Sequence, residues 1–169
     1  NGNGLINVYV YNAYATLPKT ISLRRVRANG GGTGGYNIVG SGSVIVYDLF
    51  AFGNSGNGLY INNTYLTAPY TVTIYKVKLM YNSGNNLDVQ TYGNVTLGGI
   101  QSTGSSGGCG AVITNQIAGA TGNVTLSSMY GENYFSFNNQ GGLWIFSNNN
   151  VALNKVNAVS NGQDGVYVN

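Results

Sequence analysis

Apolar and polar residues alternate along this chain in short runs, as in Val95-Thr96-Leu97 and Leu59-Tyr60-Ile61. A spacing of two places the apolar side chains on one face of an extended strand. The segments between the runs, such as residues 29–35, are rich in Gly, Asn and Ser, which is typical of turns. The pattern predicts an all-β chain of many short strands.

One of these runs recurs six times in the same form: a β-branched residue, a central aliphatic residue two positions later, and an apolar residue at the end. The copies begin at Ile21, Val44, Val72, Val95, Val124 and Val151, and we expect these residues to form one core column. The central residues, Leu23, Val46, Ile74, Leu97, Leu126 and Leu153, are expected to form a second column. The copies end at Val26, Leu49, Val77, Ile100, Met129 and Val156.

A shorter run alternates with the first, and its copies begin at Leu5, Tyr36, Leu59, Leu87, Ala111, Leu143 and Val166. The distance from one copy to the next but one is nearly constant: 54 residues from Leu5 to Leu59, 52 from Leu59 to Ala111, and 55 from Ala111 to Val166. The larger unit is therefore a pair of coils. We therefore expect a single domain over residues 1–169, with repeats at approximately 5–58, 59–110 and 111–165. Residues 166–169 would start a further coil.

The spacing of equivalent runs favours a solenoid. They recur every 23 to 29 residues, too far apart for hairpins with two-residue loops. Parallel stacking of equivalent strands accommodates such intervals. The sequence predicts a parallel β-helix of about six to seven coils, roughly 30 Å long at one strand spacing per coil. Asn94, Asn123 and Asn150 precede equivalent strands and are expected to stack as a ladder.

Composition argues against several kinds of chemistry. Only 7% of the residues are charged and the chain has no His, which excludes a His-based triad or metal site. Cys109 is the one cysteine; in its glycine-rich loop we expect a free thiol or one intermolecular disulfide rather than a buried thiol. Asp48, Asp88, Glu132 and Asp164 fall on different coils, so no catalytic site, metal site or cofactor is predicted.

The basic residues form one notable group. Arg24, Arg25 and Arg27 are followed two copies later by Lys76 and Lys78. This group is either a solvated face or a strip that binds acidic glycans or phosphates. The net charge of +3 is too small to indicate nucleic-acid binding, and no apolar run is long enough for membrane insertion.

Two stretches, Gly122-Asn123-Val124-Thr125-Leu126 and residues 160–168, resemble the right-handed parallel β-helix repeats of large bacterial secreted and cell-surface proteins, both adhesins and sheath proteins. The resemblance implies a secreted or surface-exposed protein that serves as a stalk, adhesin, sheath or polysaccharide-degrading enzyme. Pectate lyases and polygalacturonases share that fold but use clustered carboxylates, and no residue of this chain corresponds to their pattern.

Neither end of the sequence carries a capping helix or a run of charges, and both ends hold the same short run. We therefore expect head-to-tail association with further copies of the chain. The alternative is an excerpt of a longer β-helix whose caps lie outside it. The predicted interface consists of Leu5, Ile6, Val8, Val166, Tyr167 and Val168.

Outward aromatic residues suggest a second role. Tyr60, Trp144 and Tyr167 occupy equivalent outward positions and are candidates for glycan contact or lateral packing. Glycosylation sequons place further candidate sites at Asn62, Asn94 and Asn123. The sequence thus predicts a non-catalytic building block of an extracellular filament, sheath or surface stalk. The alternative is a glycan-binding adhesin; a polysaccharide lyase is disfavoured because the acidic residues are scattered.

Overall fold

The computed structural model describes residues 4–13 and 17–169, which form β-strands and no helix. No segment of these residues therefore meets the length and apolarity of a membrane-spanning helix. The strands are β1 (Ile6–Tyr11), β2 (Ile21–Asn29), β3 (Gly34–Val39), β4 (Val44–Phe52), β5 (Asn57–Asn63), β6 (Val72–Met80), β7 (Leu87–Thr91), β8 (Val95–Thr103), β9 (Ala111–Asn115), β10 (Val124–Ser127), β11 (Asn133–Ser136), β12 (Leu143–Ser147), β13 (Val151–Leu153), β14 (Val156–Val159) and β15 (Val166–Val168).

The strands alternate between two parallel sheets. Sheet A has the order β1-β3-β5-β7-β9-β12-β15. Sheet B begins β2-β4-β6-β8; β10 and β11 then pair with the two halves of β8, and β13 and β14 pair with β10 and β11. One passage through both sheets is one coil, and about six coils stack along the axis. The predicted all-β parallel solenoid is confirmed.

The two predicted core columns of sheet B are also confirmed. Ile21 pairs with Val44, and the same register continues strand by strand to Val151. The column from Leu23 to Leu153 follows two residues later. Most members between the ends of the stack are fully buried. Each such aliphatic side chain contributes about 1.5–3 kcal/mol on burial, so the columns are the principal source of stability.

The register of sheet A differs from the prediction at its first strand. Val8, and not Leu5, pairs with Tyr36, and Val10 pairs with Ile38. Leu5 lies before β1 and is 72% exposed. The alignment was wrong by three residues because residues 5–10 offer apolar residues at five positions, so more than one register satisfies the alternation.

The prediction that Met129 ends a copy of the first run was also wrong. Tyr134 pairs with Gln101, which places Asn133 beside Ile100 in that column. Met129 is 70% exposed in a loop, residues 128–132, that separates β10 from β11. Asn133 accepts a hydrogen bond from the Ile100 backbone N–H (3.2 Å) and donates to the Ser127 and Asn154 carbonyls (3.1 and 3.4 Å). Its amide thus satisfies backbone groups beside the inserted loop.

In sheet B, β2, β4, β6 and β8 each bend at one residue in the left-handed backbone region, and one such residue joins β13 to β14. In coil order the bend residues are Arg25 (φ 54°), Asp48 (55°), Lys76 (54°), Gly99 (63°) and Lys155 (47°). A single residue of this conformation turns an extended chain sharply. A second column of such residues follows the strands and consists of Gly30, Gly53, Tyr81, Gly104, Phe137 and Ser160. We call the first column the vertex, because its side chains stand at a corner of the coil.

A chain of six asparagine amides runs through the interior parallel to the axis. Each Nδ2 donates to the Oδ1 of the next asparagine over 2.7–3.2 Å, in the order Asn7, Asn54, Asn82, Asn86, Asn138 and Asn161. The last amide donates to the Phe135 carbonyl at 3.0 Å. All the amides point the same way, so each hydrogen bond polarises the next.

Neighbouring positions are complementary along this chain. The asparagine of one coil packs over a glycine of the coil before: a Cβ at Gly58 would lie 2.6 Å from Nδ2 of Asn82. On two coils the residue at the asparagine position is smaller, Gly31 or Ser105. The glycine position of the coil before then holds an asparagine instead. Asn86 reaches past Ser105 to Asn138, and Asn7 reaches past Gly31 to Asn54. The interior therefore holds one amide at each step.

Asn94, Asn123 and Asn150 do line up from coil to coil, but the hydrogen bonds between them join a side chain to a backbone and are not the predicted bonds between side-chain amides. The Asn123 backbone N–H donates to Oδ1 of Asn94 at 2.7 Å, and the Asn150 N–H donates to Oδ1 of Asn123 at 3.2 Å. Here the side-chain oxygen bonds the backbone of the following coil. The buried amide chain was not predicted, although Asn-x-x-x-Gly recurs at Asn54, Asn138 and Asn161.

Candidate functional site

The two ends of the stack are candidate assembly surfaces. β1 and β15 are the outermost strands of sheet A, and each has one unpaired edge. Val166 and Val168 are 40% and 47% exposed, although the equivalent residues of β12, Leu143 and Ile145, are fully buried. The predicted interface residues thus lie at opposite ends: Leu5, Ile6 and Val8 at one, and Val166, Tyr167 and Val168 at the other.

The strands at the two ends of sheet A occupy the same position within the repeat. β1 carries Val-Tyr-Val at residues 8–10 and β15 carries Val-Tyr-Val at residues 166–168, in the same columns of sheet A. The coil at 21–38 and the coil at 151–168 also correspond without insertion or deletion. Because all strands are parallel, translation of a second copy along the axis brings an unpaired edge beside an unpaired edge of the same direction.

An aromatic cluster lies on the outward face of sheet A. Trp144 on β12 lies 6.2 Å from Tyr167 on β15, between ring centroids, and 6.5 Å from Phe146. These three rings line a cavity of about 330 Å³ with Gln163 and Asp164. The structure thus brings Trp144 and Tyr167 together. Phe146 was not predicted, although it lies two residues after Trp144 and therefore shares its face.

Tyr60 is not part of this cluster. It lies on β5, and β7 and β9 separate that strand from β12. Its hydroxyl accepts a hydrogen bond from Nδ2 of Asn62 at 3.3 Å. Burial raises the pKa of the Tyr60 hydroxyl. The equivalent outward positions on the intervening strands are Asp88 and Val112.

A groove lies along the vertex of sheet B, and we call it the vertex groove. Its volume is about 360 Å³, and it is lined by Arg27, Asp48, Leu49, Phe50, Lys76, Lys78, Gly99, Gln101 and Tyr130. Three residues of the predicted basic group therefore share one surface. Arg25 lines a smaller neighbouring cavity with Arg27, Asp48 and Phe50, whereas Arg24 lines neither.

Aromatic rings lie beside two of the three cations that line the groove. Nζ of Lys76 lies 5.3 Å from the ring centroids of both Tyr47 and Tyr130, and the Arg27 guanidinium lies 5.7 Å from that of Phe50. These distances are within the range of cation–π attraction. A hydrogen bond with the Tyr47 hydroxyl raises the pKa of Lys76, so the ammonium stays charged at neutral pH.

The inserted loop of residues 128–132 forms one wall of the groove. Tyr130 packs on Tyr75 with 4.6 Å between ring centroids. The loop lies against Gly99 of β8, because a Cβ on this glycine would lie 2.5 Å from the Tyr130 carbonyl oxygen. A side chain at position 99 would therefore displace the loop.

The acidic residues occupy separate environments. Asp48 is at the vertex, and Glu132 accepts hydrogen bonds from the Tyr134 hydroxyl (2.6 Å) and from Nδ2 of Asn157 (2.9 Å). Asp88 is partly buried in sheet A, which raises the pKa of its carboxyl group. Asp164 lines the aromatic cavity. Within residues 4–13 and 17–169, no three acidic, Cys or His side chains form a metal-binding group.

Cys109 is a free thiol, which is one of the two predicted alternatives, but it lies inside the fold. The residue is buried, at 1% exposure, and its thiol donates to Oε1 of Gln140 at 3.8 Å. Burial also raises the pKa of the thiol. The glycine-rich loop around it is therefore packed between coils, and the expectation that this loop would not bury the thiol was wrong.

The sequon asparagines lie at two kinds of position. Asn94 and Asn123 are exposed, and the Asn123 backbone N–H donates to Oδ1 of Asn94. Asn62 is half-buried, and its Oδ1 accepts hydrogen bonds from the backbone N–H and the hydroxyl of Thr64 (3.1 and 2.7 Å). Glycosylation at these three residues stays a prediction.

Comparison with known proteins finds no matching family model, no matching curated protein and no matching solved structure. The structure supports the fold part of the resemblance, a parallel β-solenoid of about six turns, and the relation to bacterial secreted proteins stays a prediction.

Proposed function

We propose that this protein is a non-catalytic structural building block of an extracellular filament, sheath or surface stalk, and that copies associate head-to-tail through the ends of the solenoid. One observation carries the proposal: the two end coils have the same sequence phase and present unpaired parallel edges with exposed apolar residues. Association of different surfaces by translation does not close into a ring, so it produces a filament.

The chemistry of the chain is consistent with a structural role. The described carboxylates lie apart, and the core is built from continuous aliphatic columns and hydrogen-bonded amides. Exposed apolar strand edges are sites where another chain adds a strand. The partner that fits such an edge best is a second copy, since its columns match those of the first in both spacing and polarity.

The test measures assembly of the purified chain as a function of concentration. Sedimentation velocity and electron microscopy are expected to show unbranched filaments that lengthen with concentration. A V166D/V168D variant places two carboxylates in the exposed ends of the apolar columns and is expected to remain monomeric. The matched control S106D/Q116D adds the same charge at exposed positions away from the ends and is expected to assemble normally. A wild-type chain that stays monomeric at every concentration contradicts the proposal.

The aromatic cluster favours a second candidate function, a glycan-binding adhesin. Trp144, Phe146 and Tyr167 present adjacent ring surfaces beside Gln163 and Asp164, and this combination of rings and polar groups suits a sugar ring. A glycan array tests it: the adhesin function requires binding that Trp144→Ala abolishes. Trp144 is preferred to Tyr167 as the test residue, because Tyr167 also belongs to the proposed assembly end.

A further inference from the structure

The vertex groove carries an excess of positive charge beside aromatic surface. Arg27, Lys76 and Lys78 line it together with a single carboxylate, Asp48. The groove lies on sheet B, so it is separate from the aromatic cluster of sheet A. Arg27 belongs to β2, the outermost strand of sheet B, whereas Lys76 and Lys78 lie on β6 inside the stack. Its volume is within the range of small-ligand sites.

The register of sheet B arranges the groove as a regular row. Arg27, Phe50, Lys78 and Gln101 pair in succession across β2, β4, β6 and β8. Adjacent strands are about 4.8 Å apart, so the two cations of this row are separated by roughly 10 Å along the axis with a ring between them. A row of this kind suits an extended ligand with repeated anionic groups better than a single small anion.

Backbone conformation decides which substitution tests the groove. Lys76 occupies the left-handed region, as Arg25, Asp48 and Lys155 do, whereas Gly99 occupies the same position on the next coil. This conformation belongs to the vertex as a whole, so glycine can replace Lys76 without backbone strain.

A second observation is the loop of residues 128–132. It is inserted between β10 and β11 and packs on Gly99 of β8. In doing so it carries the Tyr130 ring over Tyr75 and beside Nζ of Lys76. The insertion turns a corner of the solenoid into a walled groove.

We infer that the vertex groove binds an anionic polysaccharide. Lys76, Lys78 and Arg27 bind its carboxylate or sulfate groups through charge-assisted hydrogen bonds. Phe50 and Tyr130 pack against the faces of the sugar rings. This binding role is additional to the proposed structural function and does not depend on assembly.

The experiment measures binding of dextran sulfate, alginate and neutral dextran to the full chain by titration calorimetry at low salt. Dextran sulfate and alginate are expected to bind, and dextran is expected not to bind. The K76G variant is expected to lower the affinity by about tenfold or more. Its melting temperature should be unchanged or higher, because glycine adopts the vertex conformation freely.

The matched control is Lys155→Gly, which removes the same charge at the same backbone conformation on the last coil, outside the groove. K155G is expected to bind as the wild type does. Equal losses in K76G and K155G would mean that net charge alone attracts the polymer, and would overturn the inference. Absence of binding to both anionic polymers would overturn it as well.

Tyr130→Ser separates a saccharide site from a bare anion site. The variant is expected to weaken dextran sulfate binding severalfold while inorganic sulfate competes as it does with the wild type. If dextran sulfate binds Y130S and the wild type equally, the groove recognises the anion only, and the saccharide assignment is wrong.

Discussion

At the scale of single residues, the interior amide chain explains why one coil differs from its neighbours. Asn86 takes the amide position that Ser105 leaves open, accepting from Asn82 (2.7 Å) and donating to Asn138 (3.2 Å). The side chains at 86 and 105 therefore share one space. A repeat protein can exchange an amide between two positions without breaking the chain of hydrogen bonds.

Substitutions at these two positions are expected to couple. Asn86→Gly leaves the buried Nδ2 of Asn82 without its acceptor, at a cost of about 1–3 kcal/mol. Ser105→Asn adds a second amide to a filled space, at a cost of about 1–3 kcal/mol. The double variant restores the arrangement seen at Gly58 and Asn82. Urea unfolding should therefore show a loss well below the sum of the two single losses; additive losses would contradict the shared space.

The partly buried Asp88 makes stability depend on pH. Burial raises its pKa in the folded state above the unfolded value, so the folded protein binds the proton more tightly. Stability gained from that proton is fully present below the unfolded pKa and is lost as the pH rises through the folded pKa. We expect Asp88→Asn to be more stable than the wild type at neutral pH and to lack this decline. Urea midpoints measured from pH 3 to pH 8, about the span of this titration, check both statements.

At the scale of elements, a column of residues with left-handed backbone conformation follows the strands of sheet B. Substitutions at two members of this column are expected to change stability in opposite directions. Phe137 adopts φ 55° and is 65% exposed, so Phe137→Gly is expected to raise the free energy of unfolding by about 1 kcal/mol. Gly104 has φ 69° in the same column, and a Cβ there would lie 2.6 Å from the Tyr81 ring. Gly104→Ala is therefore expected to destabilise the fold, and thermal unfolding of both variants tests the two signs.

Most strands and the register of sheet B could be predicted from the sequence, because a period of two and a recurring interval define both. Residues such as Val72 and Val95 could occupy no other columns once the repeat was aligned. The prediction failed where an interval changed. The loop of residues 128–132 shifted the column from Met129 to Asn133, and the several apolar residues around Leu5 allowed a register that differs from the observed one.

The candidate site was harder to predict than the fold. The basic group at Arg27, Lys76 and Lys78 was visible in the sequence, but its aromatic wall was not. Tyr130 reaches the groove through the inserted loop, and neither the repeat nor the alternation of apolar residues encodes such a path. The burial of Cys109 was missed for a related reason: the glycines around it permit close packing between coils as readily as an open turn.

At the scale of the whole molecule, the number of strands constrains how copies would stack under the proposed head-to-tail assembly. In residues 4–13 and 17–169, sheet A contains seven levels, from β1 to β15, and sheet B contains six, from β2 to the level of β13 and β14. If β1 of one copy pairs with β15 of another, one level of sheet B remains empty. If β2 instead pairs with β13 and β14, both sheets continue without a gap, but β1 and β15 require the same place.

The identical Val-Tyr-Val triplets of β1 and β15 suggest that the second arrangement prevails, with β15 of one copy replacing β1 of the next. A V8D/V10D variant weakens the packing of β1 on β3 and tests this exchange. If β1 must leave its place, the variant is expected to form filaments faster and at lower concentration than the wild type. If β1 pairs directly with β15, the same variant loses assembly, as V166D/V168D does under either arrangement. Filament growth followed by light scattering, with electron microscopy at the end point, distinguishes a gain from a loss.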